Sequence, residues 1–182
     1  MPADPSSTNP QLDATLDIGF SSVRWRNLYL SGGVYLGGTG TANHLDDYEE
    51  GSFTPVLSWY TPSTGSVSYI ARTATYVKVG RKVTIHLELR LNIVAQNSAT
   101  YPLLISGFPF PFHNTGGYGG SLMQVSLVGF TFSSGHIPFG YGEFNSDRMF
   151  LYTMSNNAAF SNLATPANYK SINVSGTYIT PT

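Results

Sequence analysis

Residues 82–94 read KVTIHLELRLNIV. Val83, Ile85, Leu87, Leu89, Leu91 and Ile93 alternate strictly with Thr84, His86, Glu88, Arg90 and Asn92. Side chains of an extended chain point to opposite faces in turn, so this period of two marks a long strand with one apolar and one polar face. Upstream, ATYVKVG (residues 74–80) gives a second strand, and Gly80-Arg81 is a tight connection, so the two form a hairpin. Further strands are expected at Leu103–Ile105, Met123–Phe132, Met149–Thr153, Ile172–Val174 and Thr177–Ile179. Turn-forming clusters separate them: TPSTGS (61–66), HNTGGYGG (113–120), SSGHIPFGYGEFNSD (133–147) and SNNAAFSNLATPAN (155–168). Nothing longer than a turn or two carries helical periodicity. Short strands at this spacing, rich in glycine and aromatics, predict an all-β fold, an antiparallel β-sandwich or jelly-roll.

The part before this head has a different texture. Residues 1–15 hold prolines and little to bury, and are expected to be extended. Residues 16–45, LDIGFSSVRWRNLYLSGGVYLGGTGTANHL, are short apolar pieces punctuated by glycine. Tyr29-Leu30 and Tyr35-Leu36 recur six residues apart. Such ribbons cannot close a core alone, because an isolated pair of strands is marginal in water. They need other copies or a neighbouring domain.

Of the 182 residues, 41% are hydrophobic but only 10% are charged, against about 25% in ordinary soluble domains. The surface is therefore built of Ser, Thr, Asn, Gly and Tyr, or is covered by other chains. The net charge of -1 provides no basic field for nucleic acid or an anionic membrane. No stretch is long and apolar enough for membrane insertion. The chain has no cysteine, which removes disulfides, thiolate metal sites and cysteine nucleophiles.

Reaction chemistry finds little support. There is no G-x-S-x-G nucleophile elbow. GGTGTAN and GGYGGS lack both the strand-to-helix setting and the lysine of a phosphate loop. The four histidines (His44, His86, His113 and His136) are far apart, and His86 with Glu88 reads as a solvated pair on a strand. The densest group of acids is LDDYEEGSFTP (45–55), with Asp46, Asp47, Glu49 and Glu50. Its spacing is not that of a calcium loop. Paired glycosidase carboxylates come from different elements across a cleft, not from neighbours. A solvated junction is the leading reading, a hard-cation site the second and catalysis the third. No metal, cofactor or catalytic residue is assigned.

This stretch also carries a resemblance. Gly19, Ser21-Ser22, Arg24-Trp25, Asn27 to Gly32, Gly37 to Gly40, Ala42-Asn43, Leu45 to Gly51 and Thr54-Pro55 resemble the stem-to-head junction of bacteriophage tail-fibre proteins, over about 40 contiguous residues. Ile18 and Phe20 around Gly19, and His44 where lysine is common, depart from that pattern. YVKVGRKVTI, ISGFPFPF and VSGTYI echo the distal domain more weakly. The resemblance implies a homotrimer in the virion tail fibre. Residues 1–15 would attach to other tail or baseplate proteins. Residues 16–50 of three copies would form the stem, packing Trp25 and Leu28 inward together with Leu30 and Tyr35. Residues 51–182 would form a β head that binds a host surface saccharide or outer-membrane protein and is not an enzyme. The acid cluster would be the hinge, with Tyr48 and Phe53 packed and the acids capping turns or pairing with Arg24 or Arg26. A virion structural, decoration or head fibre without receptor, and a capsule-degrading depolymerase, are the alternatives. Carbohydrate sites favour aromatic faces beside amides and hydroxyls. Binding candidates in the expected turns are therefore Trp59, Tyr60, His113, Tyr118, His136, Tyr141 and Asn145.

Overall fold

The structure, a computed structural model, describes residues 17–60, 66–94, 102–114, 121–131, 134–155, 161–162 and 168–181. The strands are β1 (Val34–Tyr35), β2 (His44–Leu45), β3 (Tyr48–Ser52), β4 (Val56–Trp59), β5 (Ser66–Val79), β6 (Lys82–Val94), β7 (Leu103–Ser106), β8 (Leu122–Val128), β9 (Ile137–Gly142), β10 (Arg148–Met154), β11 (Ser161–Asn162) and β12 (Asn168–Ile179). β1 and β2 form a small antiparallel ribbon. The other ten strands described form one antiparallel sheet in the order β3-β5-β6-β12-β8-β9-β10-β7-β4, with β11 beside β10. Its two outermost strands, β3 and β4, are separated in sequence only by Phe53, Thr54 and Pro55. Three residues span no more than about 11 Å. The sheet must therefore curl until its edges approach, and its halves face each other across a shared core. The all-β, sandwich-like expectation holds.

β6 lies near the middle of one half and supplies the floor of that core. Val83, Leu87, Leu89 and Leu91 are wholly inaccessible to solvent, and Ile85 nearly so. Leu103, Ile105, Met149 and Leu151 face them from the other half, with Ile172, Val174 and Tyr178 of β12 alongside. The hairpin turns through Gly80 at φ 56°, a left-handed conformation that glycine adopts without a Cβ clash. The two strands expected at Ile172–Val174 and Thr177–Ile179 are one. Gly176 continues β12 in register opposite Ile85, and its missing side chain leaves room for Met123. β8 ends earlier than its hydrophobicity implied, at Gly129, where φ is 81°.

β5 begins eight residues before the expected ATYVKVG. A bulge between Tyr69 and Ala71 explains the difference. One inserted residue moves the inward side from odd to even positions. Val67 and Tyr69 pack on the core above the bulge; Ala74 and Tyr76 do so below it. Ile70, the extra residue, is turned out to solvent. Below the bulge the inward series also includes Lys78, which is buried, paired with Asp47 and seated 5.3 Å over the Phe110 ring.

Tyr69 also ties the two halves together. Leu57 sits on the edge strand β4, and the Tyr69 hydroxyl accepts its N–H at 2.8 Å and donates to its carbonyl at 3.3 Å. One phenol thus satisfies both backbone groups of a buried edge residue. Tyr69→Phe strands that pair, and we expect it to lower the unfolding free energy by about 1–3 kcal/mol. Urea titration of the variant against the parent chain measures it; a change below a few tenths means that another group takes over the edge.

The acid cluster is not a bare linker. β3 pairs with β5 in register from Tyr48↔Val79 to Ser52↔Thr75, so the sheet takes in Tyr48, Glu49 and Glu50. That register places cations and phenols beside the acids. Asp47 pairs with Lys78, and Glu49 accepts from the Tyr76 hydroxyl. Glu50 accepts from Tyr48 at 2.6 Å, and Asp46 lies 3.4 Å from His44 Nδ1. These partners replace Arg24 and Arg26. Tyr48, expected to pack, is instead 58% exposed. Phe53 does pack, 5.6 Å from the ring of Phe108.

Tyr178 is the largest fully buried side chain among the described residues. Its ring lies 4.3 Å from that of Phe112, and its hydroxyl donates to the Phe110 carbonyl at 2.9 Å. Burial holds its phenol well above the ordinary value of 10.0. Above pH 10.0 the unfolded chain gives up a proton that the folded chain keeps. This contribution is therefore complete below that pH and is lost as pH rises beyond it. Tyr178→Phe should flatten the alkaline fall in stability and cost about 0.5–1.5 kcal/mol at neutral pH. Denaturation midpoints measured from pH 7 to 11 test this; an unchanged alkaline fall contradicts it.

Candidate functional site: an aromatic outer face

A curled antiparallel sheet should show water a polar outer face. One half does. Thr84, His86, Glu88 and Arg90 of β6 point outward beside Asn173, Ser175 and Thr177 of β12. Thr84 and Thr177 hydroxyls meet at 3.1 Å, and Glu88 pairs with Arg90 at 3.2 Å.

The other half breaks the rule. On β10, Met149, Leu151 and Thr153 are buried inward, which sends Phe150 and Tyr152 outward. On β9 the inward positions are Gly140 and Gly142, where a side chain would run into Met149 or Phe112. Phe139 and Tyr141 therefore lie on the other side of the sheet, opposite Tyr152 and Phe150, where Phe139 is buried and Tyr141, Phe150 and Tyr152 are half-buried. Tyr60, just past β4, completes the band. Its ring lies 5.4 Å from Phe150, and Phe150 lies 5.8 Å from Tyr152. Phe139 follows 6.1 Å from Tyr152, and Tyr141 lies 6.2 Å from Phe144. Leu104, also on this side, is covered to 4% exposure.

The band carries little net charge. Arg148 Nε and Nη2 donate to Glu143 at 2.7 and 2.6 Å, and Nε also reaches Ser146. The Tyr152 phenol is held above its ordinary value, first by burial and then by Tyr141, Tyr60 and Glu143. It therefore stays protonated, and neutral, at physiological pH. Beyond Phe139 and Tyr152 the face ends in a hollow of about 450 Å³ lined by Gly135, Ile137, Met154 and Ser155. Ile137 is 67% exposed there. Among the described residues no three His, Asp or Glu side chains converge as a metal ion would require.

The residues expected to bind are distributed over both ends of the head. The chain enters at Tyr48, beside Val79 and the Gly80 turn. His113 belongs to this entry end, its N–H donating to Ile179, and so does Asn145, an exposed turn residue at φ 54° whose N–H donates to Phe112. Tyr60 and His136 lie at the far end, where His136 Nδ1 is 3.2 Å from the Thr153 hydroxyl. Two placements need correction. Trp59 is not in a turn: it ends β4 and packs against the core. Tyr141 is not in a turn either, because Ile137–Gly142 of the expected 133–147 loop is strand β9. Tyr118 lies outside the described residues. Tyr60 and Tyr141 share the aromatic face, while Phe139, Phe150 and Tyr152 were not singled out. Their signal was present in RMFLYTM (148–154), which is apolar on both faces, as a strand wet on one side is not.

No family model matches the chain, and no curated protein matches it. Among solved structures it is similar to the Dettilon tailspike protein, with a TM-score of 0.53 and 20% sequence identity. The match covers 72% of this chain but only 23% of the tailspike chain, so the chain spans about a quarter of that protein's length. At this identity the likeness is one of fold.

Proposed function

We propose that this chain is a virion protein of a bacteriophage tail, a homotrimeric fibre whose β head attaches to the bacterial surface. The observation that carries the attachment role is the aromatic band, half-buried at Phe150, Tyr152 and Tyr141 and open at Tyr60 and Ile137, where the fold calls for polar residues. The tail-fibre junction motif and the tailspike-like fold support the same reading.

Assembly follows from the stem. Ile18, Trp25, Leu28 and Tyr29 are 82, 73, 68 and 87% exposed in the single chain. Apolar area left in water forfeits about 25 cal/mol per Å², so these side chains call for a cover. Three copies of residues 16–50, with Trp25, Leu28, Leu30 and Tyr35 at their contacts, provide one by cyclic symmetry. Residues 1–15 then hold the fibre to other tail or baseplate proteins, and residues 51–182 form the receptor-binding head. The chain acts by binding and needs no cofactor. Its partner on the cell is a saccharide or an outer-membrane protein.

Labelled full-length protein should bind one or more strains of a bacterial panel saturably and block adsorption of phage that carry it. Retention on virions without binding to any strain on which those phage plate would assign it a structural or decorating role. Shortening of surface polysaccharide would make it a depolymerase.

A further inference from the structure

We infer that the band Tyr60–Phe150–Tyr152, with the hollow between Ile137 and Met154, is a binding site for an uncharged glycan. The inference deepens the attachment reading and rests on it for biological purpose, but its physical basis is separate. A pyranose ring has one face of C–H groups and a rim of hydroxyls. It therefore seeks an aromatic face beside hydrogen-bonding groups. Here three rings follow at 5.4 and 5.8 Å, a step close to the length of one sugar unit, and two of them carry phenolic hydroxyls.

Charge selects among glycans. The nearest guanidinium, that of Arg148, is already held by Glu143 through two donors, so it is not available to grip a carboxylate or sulfate. Glu143 is held by Arg148 in the same way, so the pair presents no free charge of either sign. Gly135, Ile137, Met154 and Ser155 add no charge to the hollow. A sialylated or uronate-rich chain would lose its hydration without gaining a counter-charge. A neutral hexose or N-acetylhexosamine chain would lose much less.

The same chemistry favours a glycan over a second copy of the chain. A protein cover would have to supply a hydrogen-bonding partner for Tyr60, which is more than half exposed, or bury its hydroxyl at a cost. A sugar brings hydroxyls with it. The band also runs to the end of the head farthest from where the chain enters, the end a fibre presents to a cell.

The test uses the full-length protein and two oligosaccharide panels, in calorimetry and saturation-transfer NMR. The neutral panel holds hexaoses of glucose, galactose, mannose and N-acetylglucosamine; the anionic panel holds oligomers of galacturonate and sialic acid. At least one neutral oligomer should bind. Tyr60→Ala and Ile137→Glu should each weaken it at least tenfold, about 1.4 kcal/mol. Both residues are more than half exposed, so melting temperature and solution mass should stay unchanged. Binding confined to the anionic panel, no binding at millimolar concentration, or affinity indifferent to both variants overturns the assignment. A fall in solution mass in either variant makes the band a contact between copies and also overturns it. Attachment to cells without neutral-glycan binding removes this site and leaves the host-binding proposal standing. Glycan binding without attachment to any strain does the reverse.

Discussion

Replacing Leu87 with alanine lowers the unfolding free energy of the head by about 2–5 kcal/mol. Leu87 sits mid-strand on β6 and is inaccessible to solvent. Its register partners are Ala74 on β5 and Val174 on β12, both buried. Deleting its isobutyl group removes transfer energy and leaves a cavity. Ala74, the neighbour on one side, has no side-chain length with which to fill it. The midpoint of urea unfolding should fall with its slope unchanged. Thr84→Ala, on the outer face of the same strand, should move it by no more than about 0.5 kcal/mol. Similar effects at the two positions would mean that β6 does not divide core from surface.

Gly142→Val should destabilise by about 1–3 kcal/mol, toward the upper end, by overfilling the core. A Cβ at Gly142 would lie 2.6 Å from Phe112 Cε1 and 2.7 Å from its Cγ, inside the 3.0 Å that real Cβ atoms keep. The ring cannot easily retreat. Phe112 is 1% exposed, with Tyr178 at 4.3 Å and Phe108 at 5.1 Å. Its backbone is pinned by hydrogen bonds to Ser146 at 2.9 Å and Asn145 at 2.8 Å. The Phe112 ring occupies the place where β9 has no side chain. Thermal melting of Gly142→Val should therefore show a clear loss. A variant as stable as the parent would mean that the Phe112 ring has another place to go.

These two positions also show what could be read from the sequence. β6 was legible because each residue obeys one rule: apolar inward, polar outward, without interruption for ten residues and more. β9 was not, because its inward positions are glycines and its outward positions aromatic, which inverts the signal and resembles a turn-rich loop. The upper half of β5 was hidden by its bulge, since one extra residue puts Val67 and Tyr69 out of phase with Ala74 and Tyr76. The candidate site was half visible. Aromatics in apparent loops led to Tyr60 and Tyr141, which share the outer face. The same criterion also selected Trp59, which packs on the core, and His113, which lies at the entry end with Asn145, a candidate chosen for its amide. Phe150 and Tyr152 needed the sheet order, because only pairing with β9 and β7 shows that their side of β10 is not the core.

The acid cluster teaches a related lesson. Four carboxylates in five residues look like a site until β3 is paired with β5. The register then supplies Lys78 and Tyr76 as partners, Tyr48 serves Glu50 along β3 itself, and His44 sits beside Asp46. The His44 ring in turn stacks 4.5 Å from Tyr35, its register partner across the β1–β2 ribbon. Charge and hydroxyl contacts thus hold the acids to the sheet, where residue spacing alone favoured a solvated junction and the family resemblance favoured pairing with Arg24 or Arg26.

The central claim is that the stem is half of nothing by itself and a shared core when three copies meet. Light scattering of the full-length protein at micromolar concentration tests it most directly. The account predicts a single species of three times the 19.7 kDa chain mass, reduced to one chain by Trp25→Glu. A stable species of 19.7 kDa in the parent protein, with Trp25 open to water, would contradict it.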